Sequence, residues 1–314
     1  MKDRIYTGFM LFLIILLTIL LRQFTIYAFD ALILLIMVGG AFESARLFAK
    51  IGFFNDKKVV MAYPVLLYGL FLLLNHFKQS FVWSLIYNLA LIALIIIFKF
   101  VLGLITKKSI DNEIKTRNFK GSKYNFILIK AVNSAITMLY PAVLLFSFIL
   151  LNHLATIIRL PEGLANANIV GLVAIVAVFA LASLVDIFSM LFGKLIGGKK
   201  LMPSVSPNKT ISGSVGGILF TMLVATALYF VLTAFASVDT LFYTINFGIW
   251  QVLLLTFLTG VFCNVGDLFE SFLKRKAKVK DSGTILPGHG GLLDRFDSHS
   301  LAAVVVLVFF IILL

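Results

Sequence analysis

The chain has 314 residues, of which 61% are hydrophobic and 13% charged, whereas soluble domains are about half apolar and about a quarter charged. This composition excludes an ordinary soluble domain, and repeated apolar runs of about 20 residues predict transmembrane helices. The formal net charge of +13 is compatible with nucleic-acid binding. Basic residues of multispan proteins, however, concentrate in cytoplasmic loops, so we expect no nucleic-acid partner. The single cysteine, Cys263, permits no intrachain disulfide and is interpreted as a buried hydrophobic residue.

Hydropathy predicts an all-α, polytopic transmembrane protein with about nine spans. The first apolar run follows Lys2 and Arg4 as in a signal peptide, but no Ala-x-Ala-type cleavage site follows, so we expect it to stay as a span. The fifth span is long, and we expect it to be tilted, kinked near Pro141 or extended beyond the bilayer. Strands are not expected in lipid, where open edges cannot be satisfied. The predicted spans are 5–21, 28–45, 59–75, 82–105, 124–152, 168–192, 214–236, 242–266 and 299–314.

The distribution of basic residues predicts the orientation of the chain. Most lysines and arginines lie at the N-terminus and in the segments 46–58, 106–123, 193–213 and 267–298, against Arg22, Lys78 and Arg159 on the other side. The positive-inside rule places the N-terminus and these segments in the cytoplasm, and nine spans then place Leu314 outside. We therefore expect a multi-pass protein of a prokaryotic plasma (inner) membrane. Both glycine-rich polar segments, 193–213 and 267–298, would face the cytoplasm and could form one site.

Acidic residues near the end of the eighth span predict a cation site. If the helix continues past Asp267, then Glu270 and Ser271 share one face with it. Asp294 and Asp297 are also three residues apart. Three aspartates near a membrane surface suit Mg²⁺, which prefers carboxylate oxygens, waters and substrate phosphates. Alternatively, these acids offset neighbouring lysines and arginines or cap helices.

The segment that follows is typical of a phosphate-binding loop. Residues 287–291 read Pro-Gly-His-Gly-Gly, and glycines allow positive φ and free backbone N–H groups that can cradle a phosphate. His289 would bind phosphate, transfer a proton or only order the loop. The basic residues from Lys274 to Lys280 would attract anionic lipid head groups.

A second polar segment precedes the seventh span. It places the hydroxyls of Ser206 and Thr210, with Lys209, at the entrance of that helix. With Thr210, Ser212 or Ser214 as N-cap, the helix N-terminus would favour an anion.

Acidic residues within the spans support a different class of function. Asp186 lies near the end of the sixth span, and an ionisable residue there is a functional candidate. Asp30 and Glu43 lie near the predicted interfaces. A transporter or channel using Asp30 and Asp186 is therefore an alternative, although it leaves the segment 271–297 unexplained.

The segment 271–297 resembles the phosphatidate cytidylyltransferase (CDP-diacylglycerol synthase) family. It contains Ser-x-x-Lys-Arg, Lys-Asp-x-Gly, Pro-Gly-His-Gly-Gly and Asp-Arg-x-Asp in that order. The segment 266–271, the run Ser206-Pro207-x-Lys209-Thr210 and the upstream run 192–194 fit the family as well. The N-terminal half resembles it only as a hydrophobic multispan region. The matching residues are Ser271, Lys274, Arg275, Lys280, Asp281, Gly283, Pro287 to Gly291, Asp294, Arg295 and Asp297.

The resemblance implies cytidylyl transfer from CTP to phosphatidic acid, giving CDP-diacylglycerol and pyrophosphate, with Mg²⁺, and with a second metal ion left open. It implies a homodimer in contact with membrane lipids. It also implies one integrated membrane domain with an N-terminal region, 1–123, and a catalytic region, 124–314. The implied metal ligands are Asp267, Asp294 and Asp297, which with Lys209 and His289 form the catalytic set. The implied substrate-binding residues are Ser206, Lys274, Arg275, Lys280, Asp281, Gly288, Gly290, Gly291 and Arg295.

The chain departs from the family pattern at two places. Ile187 and Phe188 follow Asp186 where the family usually has Thr-Gly, and Ser212 stands where it usually has glutamate. A divergent enzyme, another lipid phosphate as acceptor, such as an isoprenoid one, and a weakened paralogue therefore remain open.

Overall fold

The computed structural model describes residues 2–22, 24–76, 81–158, 168–235, 242–243, 245–286, 288 and 290–313. Some sequence predictions rest on Lys78, Arg159, Pro287, His289 and Leu314, which lie outside the described residues. The helices of the described part are α1 (Lys2–Leu21), α2 (Tyr27–Ile51), α3 (Lys57–His76), α4 (Phe81–Ile105), α5 (Lys107–Thr116), α6 (Lys123–Met138), α7 (Leu144–Asn152), α8 (Leu154–Ile157), α9 (Asn168–Leu195), α10 (Ile211–Thr233), α11 (Ile249–Lys276) and α12 (Leu293–Leu313).

The apolar helices confirm the predicted fold class, an all-α polytopic membrane protein. Eight helical stretches of the described chain are long and apolar enough to cross a membrane. They correspond to the second through ninth predicted spans. The first predicted span lies in α1, in which the described apolar stretch is Gly8–Leu21.

Two helix boundaries near the polar segments differ from the predicted ones. Helix α11 ends at Lys276 instead of residue 266, and α12 begins at Leu293 instead of residue 299. Pairs four residues apart, which stabilise exposed helix ends, support the extension of α11: Ser271 Oγ donates to Asp267 Oδ1 at 3.2 Å. Asp294 lies in the first turn of α12, where a negative charge favours the helix N-terminus. Hydropathy alone misses such polar turns.

A short β-hairpin, absent from the sequence prediction, lies between α9 and α10. Strands β1 (Lys200–Met202) and β2 (Ser206–Thr210) are antiparallel, and Lys200 pairs with Thr210. The rule against strands holds only in lipid, whereas this hairpin lies outside the candidate spans. It carries Lys209 to the start of α10.

The long fifth predicted span is bent. A π-helical segment, Leu139–Val143, joins α6 to α7, and Tyr140 leaves the helical region there with φ −117° and ψ 123°. Proline lacks the backbone N–H that a continuous helix needs. Of the three expected arrangements, the structure therefore shows a kink beside Pro141.

Residue contacts divide the chain into two compact units, Met1–Ile33 with Leu144–Leu314 and Leu34–Val143. The predicted division into an N-terminal region, 1–123, and a catalytic region, 124–314, follows the position of the family motif and stays a prediction.

In the smaller unit, Lys99 Nζ lies 2.5 Å from Asp56 Oδ2. Burial opposes ionisation of Asp56, but Lys99 outweighs it and lowers the pKa of this carboxyl. Lys130 Nζ lies 2.6 Å from Glu113 Oε2, so Lys99 and Lys130 both have acidic partners.

In the larger unit, a buried polar cluster ties the end of α1 and the start of α2 to the end of α7. Asn152 Nδ2 donates to Asp30 Oδ1 at 2.8 Å, and His153 Nε2 lies 2.7 Å from Asp30 Oδ2. Arg22 Nε donates to Asn152 Oδ1 at 2.7 Å. Asp30 is fully buried, so its carboxylate needs such partners. These contacts give Asp30 a structural role.

Glycines bring the polar ends of the helices in the larger unit together. A Cβ at Gly213 of α10 would lie 2.6 Å from the Ser189 carbonyl oxygen of α9. A Cβ at Gly217 would overlap the Ser189 side chain, and one at Gly266 of α11 would overlap the Asp297 carbonyl oxygen of α12. Small residues permit such close helix contacts in membranes. The acidic residues of these helices are thereby held close together.

Candidate functional site

A polar cavity of about 580 Å³ lies where α9, the hairpin, α10 and α11 meet. Its volume is within the range of about 300–1,000 Å³ typical of small-molecule sites. Three lysines and two aspartates line it, so it combines positive charge for an anion with carboxylates for a cation. Its lining consists of Asp186, Ser189, Met190, Gly193, Lys194, Lys200, Asn208, Lys209, Thr210, Ser214 and Asp267.

An ion pair crosses this polar cavity. Lys209 Nζ, from the hairpin, lies 2.5 Å from Asp267 Oδ2 on α11, and both side chains remain partly exposed. Asp186 of α9 also faces the cavity, and its Oδ2 accepts a hydrogen bond from Ser298 Oγ at 2.9 Å. The sequence predicted functional roles for Asp186, Lys209 and Asp267, and the structure brings them together.

The N-terminus of α10 points its first turn at the polar cavity. Thr210 is the N-cap, as one of the three predicted candidates, and its Oγ1 accepts a hydrogen bond from Gly213 N at 3.1 Å. Thr210 and Ser214 both line the cavity beside Lys209. Free N–H groups and the helix dipole favour an anion at such a position.

A second polar cluster surrounds Asp294 at the start of α12. Asp294 Oδ1 accepts a hydrogen bond from Lys274 Nζ at 2.7 Å. Its Oδ2 accepts hydrogen bonds from Ser282 N at 2.8 Å, Ser282 Oγ at 3.0 Å and Gly291 N at 2.8 Å. Lys274 Nζ also lies 3.3 Å from Oε1 of the fully buried Glu270. Asp294 therefore fixes the glycine-rich loop to α11 and α12.

Leu286 and Gly290 pair across the glycine-rich loop. Leu286 N donates to Gly290 O at 2.9 Å, and Gly290 N donates to Leu286 O at 3.1 Å. Gly288 and Gly290 have positive φ of 71° and 85°, a conformation that glycine allows. A Cβ at Gly290 would lie 2.9 Å from Asp294 Oδ2 and 3.2 Å from Asp281 Cβ. The role of His289 stays a prediction, because this residue lies outside the described residues.

Asp297 connects the two clusters. It lies within electrostatic range of Asp186 and Asp267 on one side and of Lys274 on the other. Its Oδ1 accepts a hydrogen bond from Ser298 N at 2.8 Å. Carboxyl groups from α9 and α11 therefore lie within electrostatic range of Asp297 on α12, and a positive charge among them would be favourable.

The carboxylate oxygens suit Mg²⁺ in kind, since it is a hard cation. In the part of the chain that the structure describes, no group of three or more His, Cys, Asp or Glu side chains is positioned to hold a metal ion. Lys209 and Lys274 supply the positive charge beside Asp267 and Asp294 instead. The donor atoms thus suit the cation in kind, and Asp267 and Asp294 could ligate it only by exchanging Lys209 and Lys274 for it.

The remaining predicted site residues lie around the loop and the hairpin. Arg275 Nε donates to Val205 O at 3.1 Å and ties α11 to the hairpin turn. Ser206 pairs with Met202 in the hairpin. Lys280 is exposed, and Arg295 is exposed at the start of α12.

Sequence reasoning missed Lys194, Lys200 and Asn208, which line the polar cavity. It counted Lys200 only as a charge that sets orientation, and it counted Lys194 as such a charge and as part of the run 192–194 that fits the family. The pairing of Lys200 with Thr210 places Lys200 here, and a strand register was needed to predict it.

The departures from the family pattern lie beside the polar cavity. Ile187 is 53% exposed, and Phe188 packs on Phe220 of α10 with 4.5 Å between ring centroids. Ser212 Oγ donates to the Gly197 carbonyl oxygen and lies 3.2 Å from Thr210 Oγ1. None of the three lines the cavity, so these changes leave its described charges intact.

Comparison with known proteins gives the family. The model of the cytidylyltransferase family matches residues 2–313. The phosphatidate cytidylyltransferase of Staphylococcus haemolyticus is 44% identical over 128 residues, which are 41% of this chain and 45% of that protein. Those of Staphylococcus epidermidis and Staphylococcus aureus are each 46% identical, over 128 and 129 residues, with the same coverage of 41% and 45%. These alignments thus span less than half the length of the relatives, whereas the family match extends along nearly the whole chain: this protein belongs to the cytidylyltransferase family.

Proposed function

We propose that this protein transfers a cytidylyl group from CTP to phosphatidic acid and releases pyrophosphate, as a phosphatidate cytidylyltransferase. The polar cavity carries the proposal, because it joins three lysines and a helix N-terminus, which suit a triphosphate, to converging carboxylates. Family membership and the name of the similar staphylococcal proteins support the choice of substrates. A homodimer in the cytoplasmic membrane stays a prediction.

The chain would act by positioning and electrostatics. An oxygen of the lipid phosphate attacks the α-phosphorus of CTP, and the bond from that phosphorus to the pyrophosphate breaks. Lys194, Lys200 and Lys209 hold the phosphates in place, so no nucleophilic side chain is needed. Mg²⁺ held by Asp267, Asp294 and Asp297 would supply charge neutralisation for the phosphates. Lys209 exchanges Asp267 for a substrate phosphate.

The transporter alternative has no support from these contacts. Asp30 is held by Asn152 and His153, and Asp186 accepts a hydrogen bond from Ser298. A different lipid phosphate would share its phosphate group with phosphatidic acid and differ in the rest of the molecule. An assay with several lipid phosphates therefore distinguishes this alternative.

The reaction is tested with purified protein, radiolabelled CTP and a panel of lipid phosphates. Phosphatidic acid should give a cytidine-bearing lipid and pyrophosphate, whereas diacylglycerol should not, since it lacks the attacking phosphate oxygen. EDTA should stop turnover and Mg²⁺ should restore it. Folded protein that makes no cytidine-bearing lipid from any lipid phosphate would refute the proposed function.

The predicted metal ligands are tested by Asp297→Asn and Asp294→Asn, which retain size and remove charge. Each should lower turnover by about 100-fold or more, as loss of one electrostatic group in an active site does, and raise the Mg²⁺ concentration for half-maximal activity. Asp294→Asn should also loosen the glycine-rich loop, detected as faster hydrogen exchange at Ser282 and Gly291. Asp111→Asn, at an exposed aspartate of α5 that belongs to no predicted site, is the matched control. Normal Mg²⁺ dependence in both Asp294→Asn and Asp297→Asn would place the metal elsewhere.

The serine at position 212 is tested by Ser212→Glu. The larger, charged side chain would face the Gly197 carbonyl oxygen that Ser212 now bonds and would repel substrate phosphates. We expect turnover to fall about tenfold or more, since losing such a hydrogen bond and adding repulsion costs about 1–3 kcal/mol. Ser212→Ala, which adds no charge, should cost less. Higher activity in Ser212→Glu would show instead that this chain carries a weakened site.

The proposed orientation is tested by cysteine labelling with a membrane-impermeant reagent. Thr284 and Thr25 are both exposed, and the natural Cys263 is fully buried, so background labelling should be low. Thr25→Cys should react in intact cells, and Thr284→Cys should react only after permeabilisation. The reverse pattern would invert the topology.

A further inference from the structure

A second cavity, of about 720 Å³, lies between α1, α9 and α12 and is apolar along most of its length. Ile15 of α1 and Val176 and Ala180 of α9 are among its lining residues, and Arg295 and His299 of α12 line it as well. We call this cavity the α1–α9 groove. Its lining offers no partners for a polar molecule along most of its walls, which favours a hydrocarbon chain.

The groove has a charged end and an apolar end. A Cβ at Gly171, at the start of α9, would lie 3.1 Å from Arg22 Nη2, at the end of α1. Helices α1 and α9 therefore run in opposite directions along the groove. Arg295 and His299 lie in the first turns of α12, and α12 contacts the later part of α9 through the Ser298–Asp186 hydrogen bond. The apolar end lies towards the Arg22 end of α1.

The charged end of the groove adjoins the polar cavity. Asp186 lines the polar cavity, and Ser298 Oγ donates to its Oδ2 at 2.9 Å. His299 Nδ1 lies 3.3 Å from the same Ser298 Oγ, and His299 lines the groove. Three successive side chains thus connect the two cavities through the α9–α12 contact. A phosphate beside Arg295 would lie at the border between them.

We propose that the α1–α9 groove binds an acyl chain of a lipid phosphate, with the phosphate beside Arg295. The proposal rests on the proposed function for the identity of this lipid. An arginine guanidinium matches the geometry of a phosphate and forms paired hydrogen bonds with it. The groove lining on α1 extends from Gly8 to Ile19, roughly 16 Å at 1.5 Å per residue. This is about half of the ~30 Å hydrocarbon core, the depth of one leaflet.

The groove is tested by photocrosslinking of purified protein in phosphatidylcholine nanodiscs. The probe is phosphatidic acid with a diazirine in the middle of one acyl chain, and the labelled residues are identified by mass spectrometry. Label should concentrate in residues 8–19 and 176–184, and unlabelled phosphatidic acid should compete several-fold better than diacylglycerol. Arg295→Gln should reduce labelling by the phosphatidic acid probe but not by a diacylglycerol probe.

Ala180→Phe fills the groove, and Ala227→Phe on the exposed surface of α10 is the matched control. Ala180→Phe should raise KM for long-chain phosphatidic acid several-fold and abolish groove labelling, leaving KM for CTP and for dibutyryl phosphatidic acid unchanged. Ala227→Phe should change none of these. Ser183→Phe, also lining the groove, is used if Ala180→Phe does not elute as a folded species.

Label spread evenly over the lipid-exposed helices, equal competition by diacylglycerol, or an unchanged KM in the filled variants would each overturn the groove proposal. Such results leave turnover of phosphatidic acid by the natural protein intact. If the proposed function is wrong, no acceptor gives a cytidine-bearing lipid. Photocrosslinking can in that case still show that the groove binds an acyl chain.

Discussion

The need to neutralise the charge of carboxylates at the ends of apolar helices determines how the hairpin, α11 and α12 are arranged around the polar cavity. A charged group near lipid is costly unless it is paired. Asp267 is balanced by Lys209, and Asp294 by Lys274. The first pair requires the hairpin to fold over α11, and the second requires α11 to continue past the apolar stretch. The hairpin, the extended helix and the polar cavity therefore follow from the same electrostatic demand.

Close helix contacts make this arrangement possible. Gly213 and Gly217 let α10 approach Ser189 of α9, and Gly266 lets α11 approach the backbone of α12 at Asp297. Larger residues there would separate the helices and weaken the convergence of the acidic side chains. Carboxyl groups held near one another favour a positive charge among them, and Lys209 supplies such a charge beside Asp267 in the described structure. A lysine on a short hairpin is well suited to exchange a carboxylate for a phosphate.

Local patterns in the sequence predicted much of this structure, and tertiary pairing decided the rest. Apolar length predicted the spans because a bilayer fixes how many residues a helix needs. The glycine-rich composition of the loop indicated backbone freedom, and Gly288 and Gly290 use it with positive φ. Hydropathy could not predict α11 beyond Asp267, since its support comes from polar side-chain pairs. It could not place Lys200 in the cavity either, because that depends on pairing with Thr210 across the hairpin.

The two cavities divide the proposed substrates by solubility. CTP carries several charges and suits the lysine-lined polar cavity, whereas an acyl chain suits the apolar groove. The contact between α9 and α12 separates them, and the side chains of Asp186, Ser298 and His299 cross that contact. A lipid phosphate can thus reach the carboxylates while its chain stays among apolar side chains. The charged nucleotide stays in a polar environment and the acyl chain stays in an apolar one. The free-energy cost of desolvating a charge or of exposing a hydrocarbon chain to water is therefore avoided.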